Sequence, residues 1–228
     1  VHFGTKPVDG GNLIVEADEY PEVAADPVAA KYLRPYKMGR EFIHNTPRWC
    51  LWLEDLDPAD LERSPILKRR VEANRAHRLA APKRGDAYKY RDTPHLMRPN
   101  ANRPTTPYVG IPRVFSETRR WATVDRLSPD VIAADSVFTS IDPDGFLFGV
   151  ISSSMFITWQ RLVGGRLESR LRFSSTVVWN NLPLPEIDEE LRERIIEAGK
   201  AILEVRERRP ERSLADLYNP LAMDPALV

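Results

Sequence analysis

A Gly-Gly pair at residues 164–165 places the strongest constraint on the fold of this chain. The apolar run 151–162 before it predicts a helix, which two adjacent glycines bring to an end. After the pair, charged side chains alternate with other residues over 166–172, and a period of two is typical of a strand. We therefore expect a helix, then a stiff β-ribbon over residues 165–174, then a last strand closed by Pro183 and Pro185.

The charged side chains of this ribbon have two interpretations. On a ribbon that enters a DNA groove, Arg donates two hydrogen bonds to guanine and Glu accepts one from the N4 amino group of cytosine. The alternative is an ordinary solvated strand face, which has the same alternation. The first interpretation makes the following residues candidates for reading bases: Arg166, Glu168, Ser169, Arg170 and Arg172.

Charge is unevenly distributed along the chain, although the net charge is zero. Residues 63–126 carry 16 Lys and Arg against 5 Asp and Glu, and the segments on both sides are acidic. Such a block is typical of a protein that binds a polyanion, or else of a basic surface paired with the acidic flanks. Phosphate-contact candidates lie on a helix predicted from the Ser64-Pro65 start to Ala80 and in a Pro- and Arg-rich loop over 83–107. They are Lys68, Arg69, Arg70, Arg75, Arg78, Lys83, Arg84, Lys89, Arg91, Arg98 and Arg103.

The remaining pattern predicts an α+β fold, a twisted mixed or antiparallel sheet with flanking helices, followed by a C-terminal helix pair. Residues 12–15 predict a short strand, and residues 48–53 predict a strand that is buried on both faces, with Cys50 as a small buried hydrophobe. Four strands of one sheet are predicted at 108–115, 121–127, 131–139 and 146–150. The C-terminal pair is a long amphipathic helix over 187–209 and a short piece at 214–217.

Catalytic motifs are not visible in the sequence. It has no Asn/Asp-Pro-Pro-aromatic loop, no GxGxxG spacing, and only scattered histidines. We therefore expect no catalysis, metal or cofactor from this chain alone. No apolar run approaches the roughly 20 residues of a membrane helix, so no membrane partner is expected. A single cysteine favours a reducing cytoplasm, and a start at Val1 instead of Met suggests a longer parent protein.

Five segments together resemble the target-recognition domain of MmeI-like restriction-modification enzymes. They are the ribbon region itself, KPVDGGNLIV (6–15), YLRPYKMGREFIHNTPRWCLWL (32–53), YVGIPRVFSETRRW (108–121) and FSSTVVWNNLPLP (173–185). The resemblance covers nearly the whole chain. Enzymes of this type fuse nuclease, adenine methyltransferase and DNA-recognition parts in one polypeptide. The WNNLPLP ending is also similar to recognition domains of type I specificity subunits.

The resemblance implies a sequence-specific module for double-stranded DNA that positions a target adenine for a fused N6-adenine methyltransferase domain. Its parent would use S-adenosylmethionine, and Mg²⁺ if a nuclease is present. The implied division is a lead-in from the methyltransferase (1–30), the recognition domain (31–185) and the start of a helical module (186–228).

The matching stretch 108–121 adds a second set of DNA-contact candidates, some of which are equally explained by ion pairing within the protein: Arg113, Ser116, Glu117, Arg119 and Arg120. Arg34, Arg40 and Arg48 are as compatible with internal salt bridges as with DNA contacts. Two other functions remain open. One is a protein-docking module that uses the helix after residue 187, and the other is an enzyme built on the acidic flanks.

Overall fold

The computed structural model describes residues 1–98 and 105–227, and it confirms the α+β class. Three small sheets are formed by eleven strands of the described residues. The strands are β1 His2–Phe3, β2 Ile14–Val15, β3 Leu33–Lys37, β4 Trp49–Leu51, β5 Tyr108–Pro112, β6 Val114–Phe115, β7 Asp125–Leu127, β8 Ile132–Ala133, β9 Val137–Ile141, β10 Gly165–Leu167 and β11 Arg170–Arg172.

Helices cover the sheets and form the C-terminal part. They are α1 Tyr20–Ala25, α2 Gly39–His44, α3 Pro58–Arg63, α4 Pro65–Ala80, α5 Asp86–Lys89, α6 Phe146–Ser152, α7 Ser154–Val163, α8 Glu189–Glu207 and α9 Leu214–Leu217. Short 3₁₀ segments lie at Ala29–Tyr32 and Pro225–Leu227, and a π-helical turn lies at Ser175–Trp179.

The prediction of one sheet from the strands after residue 107 is wrong. The orders are β1-β9-β5-β7, β2-β4-β3-β8 and β10-β11-β6, so β6 and β8 leave the sheet of their sequence neighbours. β5 is buried along its whole length and pairs antiparallel with both β7 and β9. β1 and β2 bring residues of the first thirty into two of the sheets. The predicted three-part division of the chain stays a prediction.

The strand predicted at 146–150 is wrong, because this segment is helix α6. Asp142 accepts hydrogen bonds from the backbone N–H groups of Leu147 and Phe148 at 3.0 and 3.1 Å, and Asp144 accepts one from Phe146. Satisfying first-turn donors in this way favours a helix start. This local capping outweighs the β-propensity of the aromatic and β-branched residues.

The last predicted strand, which was to end at Pro183 and Pro185, is also wrong. β11 ends at Arg172, and Ser174 then caps the π-helical turn by accepting from the N–H of Val177 at 3.2 Å. Asn181 donates to the carbonyls of Thr176 and Val177 and closes the turn. A Ser side chain that competes for backbone donors favours such turns over a ladder.

Helix α4 and strand β4 follow their predictions. Ser64 caps α4 by accepting from the N–H of Leu67 at 3.1 Å, and the helix ends at Ala80. In β4, Cys50 and Leu51 are fully buried between β2 and β3. Burial raises the pKa of the Cys50 thiol. The predicted loop over 83–107 contains the short helix α5, and its residues 99–104 lie outside the described part.

No single helix in the described ranges is long and apolar enough to cross a membrane. The helices α6 and α7, bent by 62° relative to each other, have the length and apolar composition of a membrane span only when they are counted together. Its apolar side chains Phe148, Ile151, Phe156 and Ile157 are buried in the protein core.

Helices α6 and α8 approach each other closely at Gly149 and Gly199. A Cβ atom on Gly149 would lie 2.5 Å from the carbonyl oxygen of Ile195, which is closer than van der Waals contact allows. Gly149→Ala is therefore expected to lower the free energy of unfolding by about 1–3 kcal/mol, although Ala favours helix more than Gly does. Urea unfolding measures this. Gly165→Ala is the control, since a Cβ there meets open space, and equal stability of the two variants would contradict the close packing.

Candidate nucleic-acid interface

The predicted ribbon is a two-stranded hairpin with a two-residue turn at Glu168 and Ser169. β10 and β11 pair antiparallel, with Arg166 opposite Leu171 and Leu167 opposite Arg170. Directly opposed residues share one face of a sheet. Leu171 is 1% exposed and faces the core, so the opposite face, turned to solvent, carries Leu167, Arg170 and Arg172.

The base-reading candidates therefore divide between two faces and the turn. Arg166 lies on the same face as buried Leu171, and its Nη1 donates to the carbonyl of Ser169 at 3.0 Å. Arg170 and Arg172 point outward, and Glu168 projects from the turn. Arg166 therefore stabilises the turn, and it stays a candidate for contacting a DNA base.

Glu168 and Arg170 form an exposed ion pair at 2.8 Å at the tip of the hairpin. Their side chains are 78% and 49% exposed, so the pair contributes little to folding stability. Glu168 also has a φ of 57°, in the left-handed region that residues with a side chain rarely occupy. Two-residue hairpin turns take a positive φ at this position, so the turn itself accounts for the conformation of Glu168.

The hairpin joins the second candidate set through β6. Leu171 pairs with Phe115 and Arg172 with Val114, which sets the hairpin beside residues 113–119. A groove of about 410 Å³ opens at this junction. Its walls come from β11, from the end of β5 with the segment 113–119, and from α2, and they include Arg170, Arg113, Val114, Ser116, Arg119, Arg40, Ile43 and His44.

Within the second set, the groove-lining residues are tied to the fold in different ways. The guanidinium of Arg113 lies 5.8 Å from the centre of the Phe3 ring. Ser116 is hydrogen-bonded to Thr118 at 2.9 Å. Arg119 donates to the carbonyl of Leu214 at 3.1 Å, and burial lowers its pKa from the usual arginine value without removing its charge at neutral pH. Glu117 and Arg120 are exposed beside the groove.

Of the wall formed by α2, the sequence indicated only Arg40, and that residue was equally compatible with an internal salt bridge. The side chain of Arg40 is exposed at the groove. Arg34 instead donates to the carbonyls of Lys31 and Leu33, and Arg48 pairs with Glu16 at 2.9 Å and Glu41 at 3.2 Å. Of these three arginines, Arg40 alone therefore lines the groove. His44 was singled out by no spacing or motif.

The prediction of a phosphate contact is wrong for Arg78, because its side chain is fully buried. Its guanidinium donates to five backbone carbonyls at 2.7–3.3 Å, namely those of Pro7, Val8, Tyr90, Thr93 and Leu96. Burial lowers the pKa of Arg78, but an arginine stays charged. Through these hydrogen bonds Arg78 connects α4 to the N-terminal segment and to the loop after α5.

Arg70 is likewise wrong as a phosphate contact. It is 7% exposed, donates to the carbonyls of Asn12 and Ile14, and pairs with Glu19 at 2.7 Å. One face of α4 therefore binds the N-terminal segment. The number of charged residues in α4 does not show which of them lie on this buried face and which on the exposed face.

The other phosphate-contact candidates stay predictions. Ion pairs join Lys68 to Glu62 and Arg69 to Glu22, as a basic surface paired with acidic flanks would have. Lys89 and Arg98 both pair with Asp86. Arg91 stacks over Tyr88, and Arg103 lies outside the described residues. The remaining three candidates have exposed side chains: Arg75, Lys83 and Arg84.

The long helix α8 is hydrogen-bonded to the start of strand β7. Arg206 of α8 is buried and donates to the carbonyl of Val124 at 2.9 Å and to the Asp125 carboxylate at 3.1 Å. Burial raises the pKa of Asp125, and attraction to Arg206 opposes that rise. Among the described residues no group of three His, Cys, Asp or Glu side chains is placed to hold a metal ion.

An outward hairpin with paired Glu and Arg at its tip, beside a groove lined by arginines, is the kind of surface that a nucleic-acid recognition module presents to a duplex. Residues 1–186 match the family model "MmeI, target recognition domain", and residues 187–228 match "MmeI, C-terminal domain". The chain belongs to this family, as the five segments indicated.

Two relatives support the assignment. DNA methyltransferase A of Bacillus subtilis (strain 168) is 30% identical over 98% of this chain. A solved structure, the type IIL restriction-modification enzyme MmeI in complex with DNA, is 34% identical over 99% of this chain, with a TM-score of 0.90. The chain spans 25% of the first relative and 30% of the second.

Proposed function

We propose that this chain is the module that recognises a specific double-stranded DNA sequence within a restriction-modification methyltransferase. The observation that carries the proposal is the meeting of the hairpin tip with the arginine-lined groove. The solved relative in complex with DNA supports binding, and the Bacillus relative supports a methyltransferase as the whole protein.

The hairpin supplies the base contacts in this proposal. The major groove admits a two-stranded β-ribbon. A carboxylate accepts from cytosine N4 while a guanidinium donates to guanine O6 and N7, so the adjacent Glu168 and Arg170 are matched to the two bases of one G·C pair. On binding, the weak ion pair between them is replaced by contacts to the base edges.

The groove supplies phosphate contacts. Arg113 and Arg119 stand on one wall, and Arg40 stands on the other wall, on α2. Phosphate contacts set the register of a protein on the duplex, and base contacts choose the sequence. Groove and hairpin together hold the duplex so that a catalytic domain can act on one base.

The proposal extends to the activity of the whole protein. We infer a fused domain that methylates adenine at N6 with S-adenosylmethionine, a Mg²⁺ requirement if a nuclease is also fused, and a cytoplasmic location. The chain itself then contributes binding and no chemistry. Binding of a flipped adenine by the fused domain would require the recognition module to keep the duplex fixed.

The docking alternative has less support. The long helix α8 was its proposed contact surface, but Gly199 packs on Gly149 of α6, and Ile202 and Leu203 pack on the core. At these positions α8 is therefore covered by the chain itself and is not available to dock another subunit.

The phosphate role of the α2 wall has a direct test. Arg40→Gln removes one groove charge and is expected to reduce the slope of log K against log salt by about 0.9, the value for one phosphate contact in B-DNA. The sequence preferred by the variant should not change, because phosphates carry no base identity. Binding measured by fluorescence anisotropy over a range of salt concentrations gives the slope.

Lys200→Gln is the matched control for that measurement, since Lys200 is exposed on α8, outside the residues that line the groove. It should leave the slope unchanged. An equal effect of the two substitutions would mean that Arg40 contributes only to net charge, and the α2 wall would then have no place in the interface.

A further inference from the structure

Leu167 is an apolar side chain on the face of the hairpin that carries its outward-pointing cations. It is 45% exposed, lies directly opposite Arg170, and shares its face with Arg172. The apolar contact between hairpin and core is made by Leu171, on the other face, which is 1% exposed. Leu167 therefore lies outside the buried apolar contact that holds the hairpin on the core.

The same face continues into the groove as a mixed apolar and basic surface. Val114 pairs with Arg172 and lines the groove together with Ile43 and Arg170. An interface made only for phosphates would need cations and polar groups. Apolar side chains set among the cations indicate a ligand that offers an apolar group close to its charged and polar ones.

We propose that Leu167 reads the C5-methyl group of a thymine next to the base pair that Glu168 and Arg170 contact. This inference rests on the proposed DNA recognition. In the major groove, the thymine methyl is the apolar feature of the base edges, and it is recognised by apolar contact.

The spacing of the hairpin suits a neighbouring base pair. Consecutive Cα atoms are about 3.8 Å apart and B-DNA rises about 3.4 Å per base pair, so Leu167 lies within about one base-pair step of Glu168. Opposed Cα atoms of antiparallel strands are about 4.5–5.5 Å apart, which keeps Leu167 within reach of the base pair that Arg170 contacts. Leu167 thus extends the recognised sequence by one position.

Deoxyuridine, which lacks the C5-methyl group, provides the test. The preferred duplex is first selected with the wild-type chain, and each thymine in it is then replaced singly by deoxyuridine. Wild-type protein is expected to lose about fourfold in affinity at one thymine beside the base pair read by Glu168 and Arg170, as for one buried methyl group. Leu167→Ala should bind the thymine and uracil duplexes equally.

Leu162→Ala is the control, because Leu162 is 75% exposed on α7, outside the hairpin. It should keep the full preference for thymine. The inference is overturned if Leu167→Ala keeps that preference, if wild-type protein ignores every methyl group, or if the selected site has no thymine at the neighbouring position. Failure to select any sequence would instead overturn the proposed function, and this inference with it.

Discussion

Replacing Arg78 by Met is expected to lower the free energy of unfolding by about 3–5 kcal/mol, since several buried carbonyls lose their donor at once. Methionine keeps most of the aliphatic stem, but five backbone carbonyls lose the donors that satisfy them. A buried polar group left without a partner costs about 1–3 kcal/mol, and the loop after α5 can recover only part of this by admitting water. Urea denaturation followed by circular dichroism measures the change.

Arg75→Met supplies the comparison on the same helix. Arg75 is exposed, so its substitution should change stability by less than about 0.5 kcal/mol. If Arg78→Met folds as stably as the wild type but shows a reduced salt slope in DNA binding, Arg78 would be the phosphate contact that its sequence context predicts. The buried network around it would then be wrong.

The second large effect is expected at the hairpin tip. Glu168→Ala should reduce discrimination at one base pair by about 1–3 kcal/mol, because the cytosine amino group loses its acceptor. Arg170→Ala should relax the same position. If both side chains read one base pair, the double variant will lose less discrimination than the sum of the single losses. Competition binding against all single-base variants of the preferred duplex provides these values.

Glu190→Ala is the control for this experiment, since Glu190 is an exposed carboxylate on α8. It should leave every position of the preferred sequence unchanged. Relaxation at two unrelated positions by Glu168→Ala and Arg170→Ala would show that the two residues do not act as a pair. Unchanged discrimination in both variants would remove the hairpin from base reading.

The sequence predicted those helices and strands that are determined by neighbouring residues, such as a capping side chain. The cap and first position of α4, Ser64 and Pro65, fixed its start. Charge alternation after Gly165 indicated a β-ribbon but not the turn at Glu168 and Ser169 that folds it into a hairpin. The two misassigned strands also carried local signals, in Asp142 and Ser174, but the capping strength of these side chains was outweighed in the prediction by β-branched and aromatic composition. Propensity is the weaker of the two influences at such positions.

The remaining features depend on contacts distant in the sequence. The division of the strands among three sheets follows from pairings such as β6 with β11, which no window of sequence contains. Arg78 and Arg75 look alike in a charge count, and only burial separates them. The α2 wall joins the site through the fold, so Arg40 could be named in advance but not assigned, and His44 not at all.

The most direct test of the account is selection of duplexes from a randomised pool by the purified chain at two salt concentrations. We expect one short motif to be enriched at both, with affinity falling steeply as salt rises. Salt-dependent binding without enrichment would mean that the chain contacts phosphates but does not read the base sequence. Absence of binding even at low salt would contradict DNA recognition by this hairpin and groove.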